Sequence, residues 1–124
     1  MSLRKLEILQ WVGLLAGALV WAAQHVVGFG ITEAECNSGG LHWGIDNTVW
    51  QGALLVAAAA CVVVAEAAAV TVLVATRQGS YESPPAPGRV RFFAIAAAAA
   101  NVIFLMIIVL DGLASIFNVT CRQG

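Results

Sequence analysis

Charge is scarce in this 124-residue chain. Asp, Glu, Lys and Arg together make up 10% of it, where a soluble globular domain carries about a quarter. So few charged groups exclude a soluble fold of this size. The six basic residues form no run long enough to grip phosphates, and the net charge is −1, which excludes nucleic acid as a partner. Histidine occurs only at His25 and His42, and only His25 falls in an apolar stretch, which argues against a bis-histidine haem inside one chain. There is no Gly-x-Ser-x-Gly, no phosphate-binding glycine loop and no His-Glu-x-x-His, so no motif points to catalysis.

What the chain does have is apolar length. Hydrophobic residues make up 60% of it, with a mean hydropathy of +0.88. They gather in three stretches, Ile8 to Ile31, Thr48 to Thr76 and Val90 to Phe117, each longer than the ~20 residues a helix needs to cross a ~30 Å hydrocarbon core. The expected fold is an all-α membrane protein of three transmembrane helices in one domain. The first stretch exceeds the ~7–15 residues of a signal-peptide core and reads as a retained helix. Arg4, Lys5, Arg77, Arg89 and Arg91 fall on one side of such a chain and only Arg122 on the other. The positive-inside rule then puts the N-terminus in the cytoplasm and the C-terminus outside.

That orientation places Cys36, in the loop 32–47, and Cys121, in the tail 118–124, on the same oxidising side, where disulfides persist. A Cys36–Cys121 bridge is expected. It would close more than 80 residues and contribute about 4–5 kcal/mol in the chain-entropy model, an upper figure for a chain already restrained by a membrane. Cys61 lies mid-span without a partner and reads as a small packing residue. Glu33, Glu35, Cys36, His42 and Asp46 are ligand types for zinc or copper, but their spacing matches no zinc pattern and the bridge would consume Cys36. Asn118-Val-Thr120 matches a glycosylation sequon and abuts the membrane, so it reads as accidental.

Within the spans, Gly13 and Gly17 form a small-xxx-small motif that admits a close helix neighbour. Spans two and three are rich in alanine, at 57–60, 65, 67–69, 94 and 96–100, which implies close helix contacts within the chain and with a larger partner. Trp11 and Trp50 suit the two membrane interfaces. The stretch 77–89, with Pro84, Pro85 and Pro87, reads as an extended, semi-rigid cytoplasmic linker.

Ionisable groups inside a membrane are costly and mark function by default. Counting from the span ends, at ~1.5 Å per residue, puts His25 and Asp111 both about 9 Å below one surface. Glu66 and Asn101 share a depth nearer the other. At ~100° per residue, Asn101, Phe104, Ile108, Asp111 and Ser115 fall within an arc of about 80°. A polar seam containing His25, Asp111, Glu66 and Asn101 is expected, with Gln24 beside it. Three readings of the seam stay open: hydrogen bonds that set helix register, a contact with polar groups of a partner subunit, or a proton or ion path.

The segment Pro84-Pro-Ala-Pro-Gly-Arg89-Val-Arg-Phe92-Phe, then Asn101-Val-Ile-Phe104-Leu-Met-Ile-Ile-Val-Leu-Asp-Gly112 and Cys121, resembles a family of short bacterial membrane proteins encoded beside haem–copper terminal oxidase subunits. Trp21-Ala-Ala-Gln24-His25-Val-Val-Gly28 and the region of Cys36 are similar too, so the likeness covers most of the chain. The resemblance implies a bacterial cytoplasmic membrane and aerobic respiration, and carries no catalytic residue. The expected function is a non-catalytic accessory subunit packed against a respiratory complex. Lipid and integral membrane subunits would be its partners, with haem and copper held by those subunits and no cofactor of its own. Two alternatives are an oxidase assembly factor and a small homo-oligomeric transporter or channel using Glu66 and Asp111.

Overall fold

A computed structural model describes residues 2–36, 46–78 and 85–117, and their regular structure is wholly helical. Three helices follow one another: α1 (Leu3–Glu35), α2 (Asn47–Ala75) and α3 (Pro85–Phe117). At ~1.5 Å per residue they are about 50, 44 and 50 Å long, so each exceeds a ~30 Å hydrocarbon core by two or more turns. All three are long and apolar enough to cross a membrane, which makes this a multi-pass membrane protein. Every helix touches the other two. Gly13 meets Ala69 and Gly28 meets Gln51, so α1 and α2 are antiparallel. Asn101 reaches Gly13 and Asp111 reaches His25, so α1 and α3 run in the same direction.

The helix ends differ from those expected, for two reasons. α1 continues to Leu3 and to Glu35, past both apolar limits. The edge of an apolar run marks where hydrocarbon ends, and nothing in Arg4, Lys5, Thr32 or Glu33 stops a helix there. The second difference is a correction: α3 starts at Pro85, inside the stretch expected to be an extended linker. Proline is unfavourable within a helix because it lacks the N–H that would bond four residues back. In a first turn those N–H groups have no intrahelical partner anyway, so Pro85 and Pro87 cost little there.

α2 is closed at both ends. The Asp46 carboxylate accepts from the Val49 N–H at 3.3 Å, serving one of the free donors of the first turn. At the far end Arg91 on α3 donates through Nη1 to the Thr76 carbonyl at 2.9 Å, a cation at the negative end of the helix dipole. An arginine that counts for topology in the sequence is therefore also a cap.

The core is built of small side chains. Ala58, Val62 and Ile108 form one cluster with Val20, Trp21, Leu55 and Leu105 around it, and Val72, Val90 and Ala94 form a second with Leu6, Leu9 and Leu73. Between them Gly13, Gly17, Ala65, Ala69, Ala97 and Asn101 make a waist of small side chains, with the Phe104 ring beside Gly17. A Cβ at Gly13 would lie 3.1 Å from both the Cβ and the backbone nitrogen of Ala69, and one at Gly17 would run into Asn101 Oδ1. The glycine motif is thus consumed inside the bundle. Large apolar side chains such as Leu19, Val26, Phe29, Val56, Val64 and Leu110 point outward, where hydrocarbon costs them nothing.

Gly17→Ala is expected to lower the thermal unfolding midpoint in mild detergent, by an amount equivalent to about 1–3 kcal/mol of overpacking. Gly30→Ala and Gly52→Ala, where an added Cβ meets nothing within 4 Å, should not lower it. Scanning fluorimetry on the three purified variants checks the contrast.

Candidate functional site

Amide side chains, more than ionisable ones, organise the interior. The buried polar residues are Gln10, Gln24, Asn47, Gln51 and Asn101. Four of them donate across a helix boundary to a backbone carbonyl. Gln24 Nε2 on α1 reaches Ile108 O on α3 at 3.2 Å, and Asn101 Nδ2 on α3 reaches Gly13 O on α1 at 2.9 Å. Gln51 Nε2 on α2 reaches Gly28 O on α1 at 2.8 Å, and Asn47 Nδ2 on α2 reaches Ser115 O on α3 at 3.3 Å. The Gly13 and Ile108 carbonyls each have a second lone pair left after their own helix bond, so the cross-link does not unpick the ladder. The Gly28 carbonyl also accepts from Thr32 Oγ1 at 3.2 Å, and Ser115 lies in the last turn of α3, where carbonyls lack an intrahelical partner. Two of the acceptors, Gly13 and Gly28, have no side chain to shield the carbonyl or hold the neighbour away. All three helix pairs are joined in this way.

At the Gln51 end a cleft of about 160 Å³ opens between the helices, lined by Gln24, His25, Gly28, Phe29, Thr32, Gln51, Asp111 and Ser115. His25 and Asp111 stand at its mouth, with Nδ1 and Oδ2 3.3 Å apart. The side chains are 64% and 35% exposed at the bundle surface, and a hydrogen bond between membrane helices averages about 0.6 kcal/mol. The Trp21 ring packs between the His25 imidazole, at 6.1 Å, and Phe104, at 6.0 Å. Gln51 Nε2 also contacts Thr32 Oγ1 at 3.2 Å, which ties the floor of the cleft to α1. Acceptors and donors are plentiful here, but no nucleophile is paired with a base.

The structure therefore brings His25 and Asp111 together, while no hydrogen bond joins Glu66 to Asn101, whose amide nitrogen is committed to Gly13 O. Glu66 lies half-buried on α2 with one carboxyl oxygen sealed and unpartnered. Asn101 and Ile108 of the expected arc are buried, and Phe104, Asp111 and Ser115 are half-buried, so that face does turn inward. Asn47, Gln51 and Gln10 were not singled out in the sequence. A scan of the spans for any polar side chain, without the restriction to ionisable ones, would have found Gln51 and Gln10.

His42, Cys121 and the sequon at Asn118 lie outside the described residues, so the expected Cys36–Cys121 pairing stands as an expectation. Cys61 is a free thiol at the surface of α2, not an interior packing residue. Among the described residues no three His, Cys, Asp or Glu side chains converge as a metal site would require. Glu7, Gln10, Trp11, Arg89, Val90 and Phe93 line a second cleft of about 360 Å³ at the Arg91 end, where Trp11 stacks on Phe93 with centroids 6.5 Å apart.

These features define a class: a three-helix membrane bundle cross-linked by amide side chains. No protein-family model, curated protein or solved structure matches the chain.

Membrane hydrogen bonds of this kind average about 0.6 kcal/mol and reach about 1.7. Asn101→Leu should lie at or above the upper figure, because it also removes a side chain moulded to Gly17. Asp111→Asn should cost well under 1 kcal/mol. Thermal or denaturant unfolding of both variants in the same detergent checks the order.

Proposed function

We propose that the chain is a non-catalytic accessory subunit that packs against and stabilises a bacterial respiratory complex, a haem–copper cytochrome oxidase or a supercomplex containing one. The observation that carries the packing role is a second ridge of small residues. The internal interfaces already use Gly13, Gly17, Ala65 and Ala69, yet Ala53, Ala57, Ala60, Ala67 and Thr71, with Val64 in their midst, line the outer side of α2 at helical spacing and are exposed. A helix that meets only lipid has no use for such a ridge, whereas a close-packed partner helix does. The likeness to proteins encoded beside oxidase subunits supplies the kind of partner, and haem and copper belong to that partner. In this reading the chain sits in the bacterial cytoplasmic membrane with Arg4, Lys5, Arg77, Arg89 and Arg91 inside. A Cys36–Cys121 bridge braces the outer side.

Purification through a tag on this chain in mild detergent should bring down haem absorbance and near-stoichiometric oxidase subunits by mass spectrometry. Oxidase subunits present only in trace amounts would favour an assembly factor. A colourless self-associated product would favour a homo-oligomeric transporter using Glu66 and Asp111. For orientation, alkaline phosphatase fused after Gly124 should be active and a fluorescent protein at the same position dark.

A further inference from the structure

We propose that the cleft at the Arg91 end binds one phospholipid whose headgroup carries a phosphate and a primary ammonium. The site does not rest on the accessory-subunit reading. α1 supplies Glu7, Gln10 and Trp11 to the lining and α3 supplies Arg89, Val90 and Phe93, around about 360 Å³. Trp11 and Phe93 stack across the groove, and Glu7 and Arg89 each stand four residues before them (7 to 11, 89 to 93). Residues four apart share a helix face, one above the other. The two helices run in the same direction, so Glu7 and Arg89 flank the groove at one level. That level is about 6 Å along the axis from the ring pair.

The charges on the groove are not spent on each other. Among the described residues neither Glu7 nor Arg89 makes an ion pair or a side-chain hydrogen bond, and both are exposed. Gln10 is only 5% exposed, and among the described residues its amide has no hydrogen-bond partner. The other four buried amides each donate to a carbonyl on a neighbouring helix. Gln10 is the exception, and it lines the cleft. A buried amide left unpaired is costly, so a ligand that brings it a partner gains more than one meeting a solvated group.

This inventory selects the ligand. A guanidinium fork matches two oxygens of a phosphate. A carboxylate accepts N–H bonds from a primary ammonium, and it repels a headgroup that carries negative charge alone. The Gln10 amide offers an N–H to a phosphate or ester oxygen. Depth then selects a lipid over a dissolved zwitterion. The apolar runs begin at Ile8 on α1 and at Val90 on α3, so Glu7 and Arg89 are each the residue just outside hydrocarbon. Trp11 and Phe93 lie one turn deeper, at the level of the glycerol and the first acyl carbons, and tryptophan favours that boundary. A charge pair at the edge with rings below it follows the polarity profile of a phospholipid.

Native mass spectrometry tests this on the full chain in non-ionic detergent, titrated with phosphatidylethanolamine or phosphatidylglycerol of the same acyl chains. One phosphatidylethanolamine should bind in preference to phosphatidylglycerol. Arg89→Gln should weaken that binding about tenfold or more, the loss of a charge-assisted contact. Glu7→Gln should abolish or reverse the preference, because the carboxylate that repels the anionic lipid is gone. Both side chains are exposed, so neither substitution disturbs the core, and Gly52→Ala should keep the wild-type preference. Glycerophosphoethanolamine, the same headgroup without acyl chains, should compete only at far higher concentration. Competition at equal concentration would overturn the lipid in favour of a soluble zwitterion. Phosphatidylglycerol bound equally or more tightly by the wild-type chain, or a preference indifferent to both substitutions, would overturn the site.

Discussion

Hydrocarbon offers a buried amide no hydrogen bond, and most of this bundle's geometry follows from that. A glutamine or asparagine in a span must find a protein acceptor or bear a penalty of several kcal/mol. The acceptors within reach are backbone carbonyls on the neighbouring helices. Gln24, Asn47, Gln51 and Asn101 each find one, and the four bonds between them join every helix pair. Such a bond requires two backbones to come close, and glycine permits this. Gly13 gives up its carbonyl to Asn101 and its missing side chain to Ala69, so a single residue sets the spacing of α1 to both partners.

The alanine-rich composition follows from the same requirement. With helices drawn together at the waist, Ala65, Ala69 and Ala97 are fully buried without a large side chain to fill the gap. Bulk returns above and below the waist, in the clusters around Ile108 and around Val72. The two ends are held differently. The Gln51 end has a network of amides, a half-exposed His–Asp pair and an open polar cleft, whereas the Arg91 end has a capping guanidinium over an apolar cluster. In both directions the large apolar side chains face outward.

The three spans were legible in the sequence because run length and the ~30 Å core leave little choice. The proximity of His25 and Asp111 was legible too, since equal depth on parallel spans brings residues near one another. Less was legible where a side chain has several places to go. Asn101 shares a level with Glu66 as depth counting suggests, but its amide takes the Gly13 carbonyl, an acceptor that no count of side chains reveals. Gln51 resembles an interfacial residue at the start of a span, and only the approach of Gly28 makes it a cross-link. Pro85 and Pro87 signal a break anywhere except in a first turn, and a linear reading does not tell where that turn begins.

Composition and periodicity by themselves determined the class: a membrane protein of three helices, poor in charge and rich in small residues, with a few polar groups at matching depths. Those properties depend on length along the chain, and hydrocarbon thickness converts length into topology. The tertiary structure decided which small residues face inward, which carbonyls accept the amides and which oxygens remain without a donor. Those outcomes depend on the rotation of each helix about its axis and on distances of a few tenths of an ångström between backbones. Both are properties of three helices packed together, and a single span read alone contains neither.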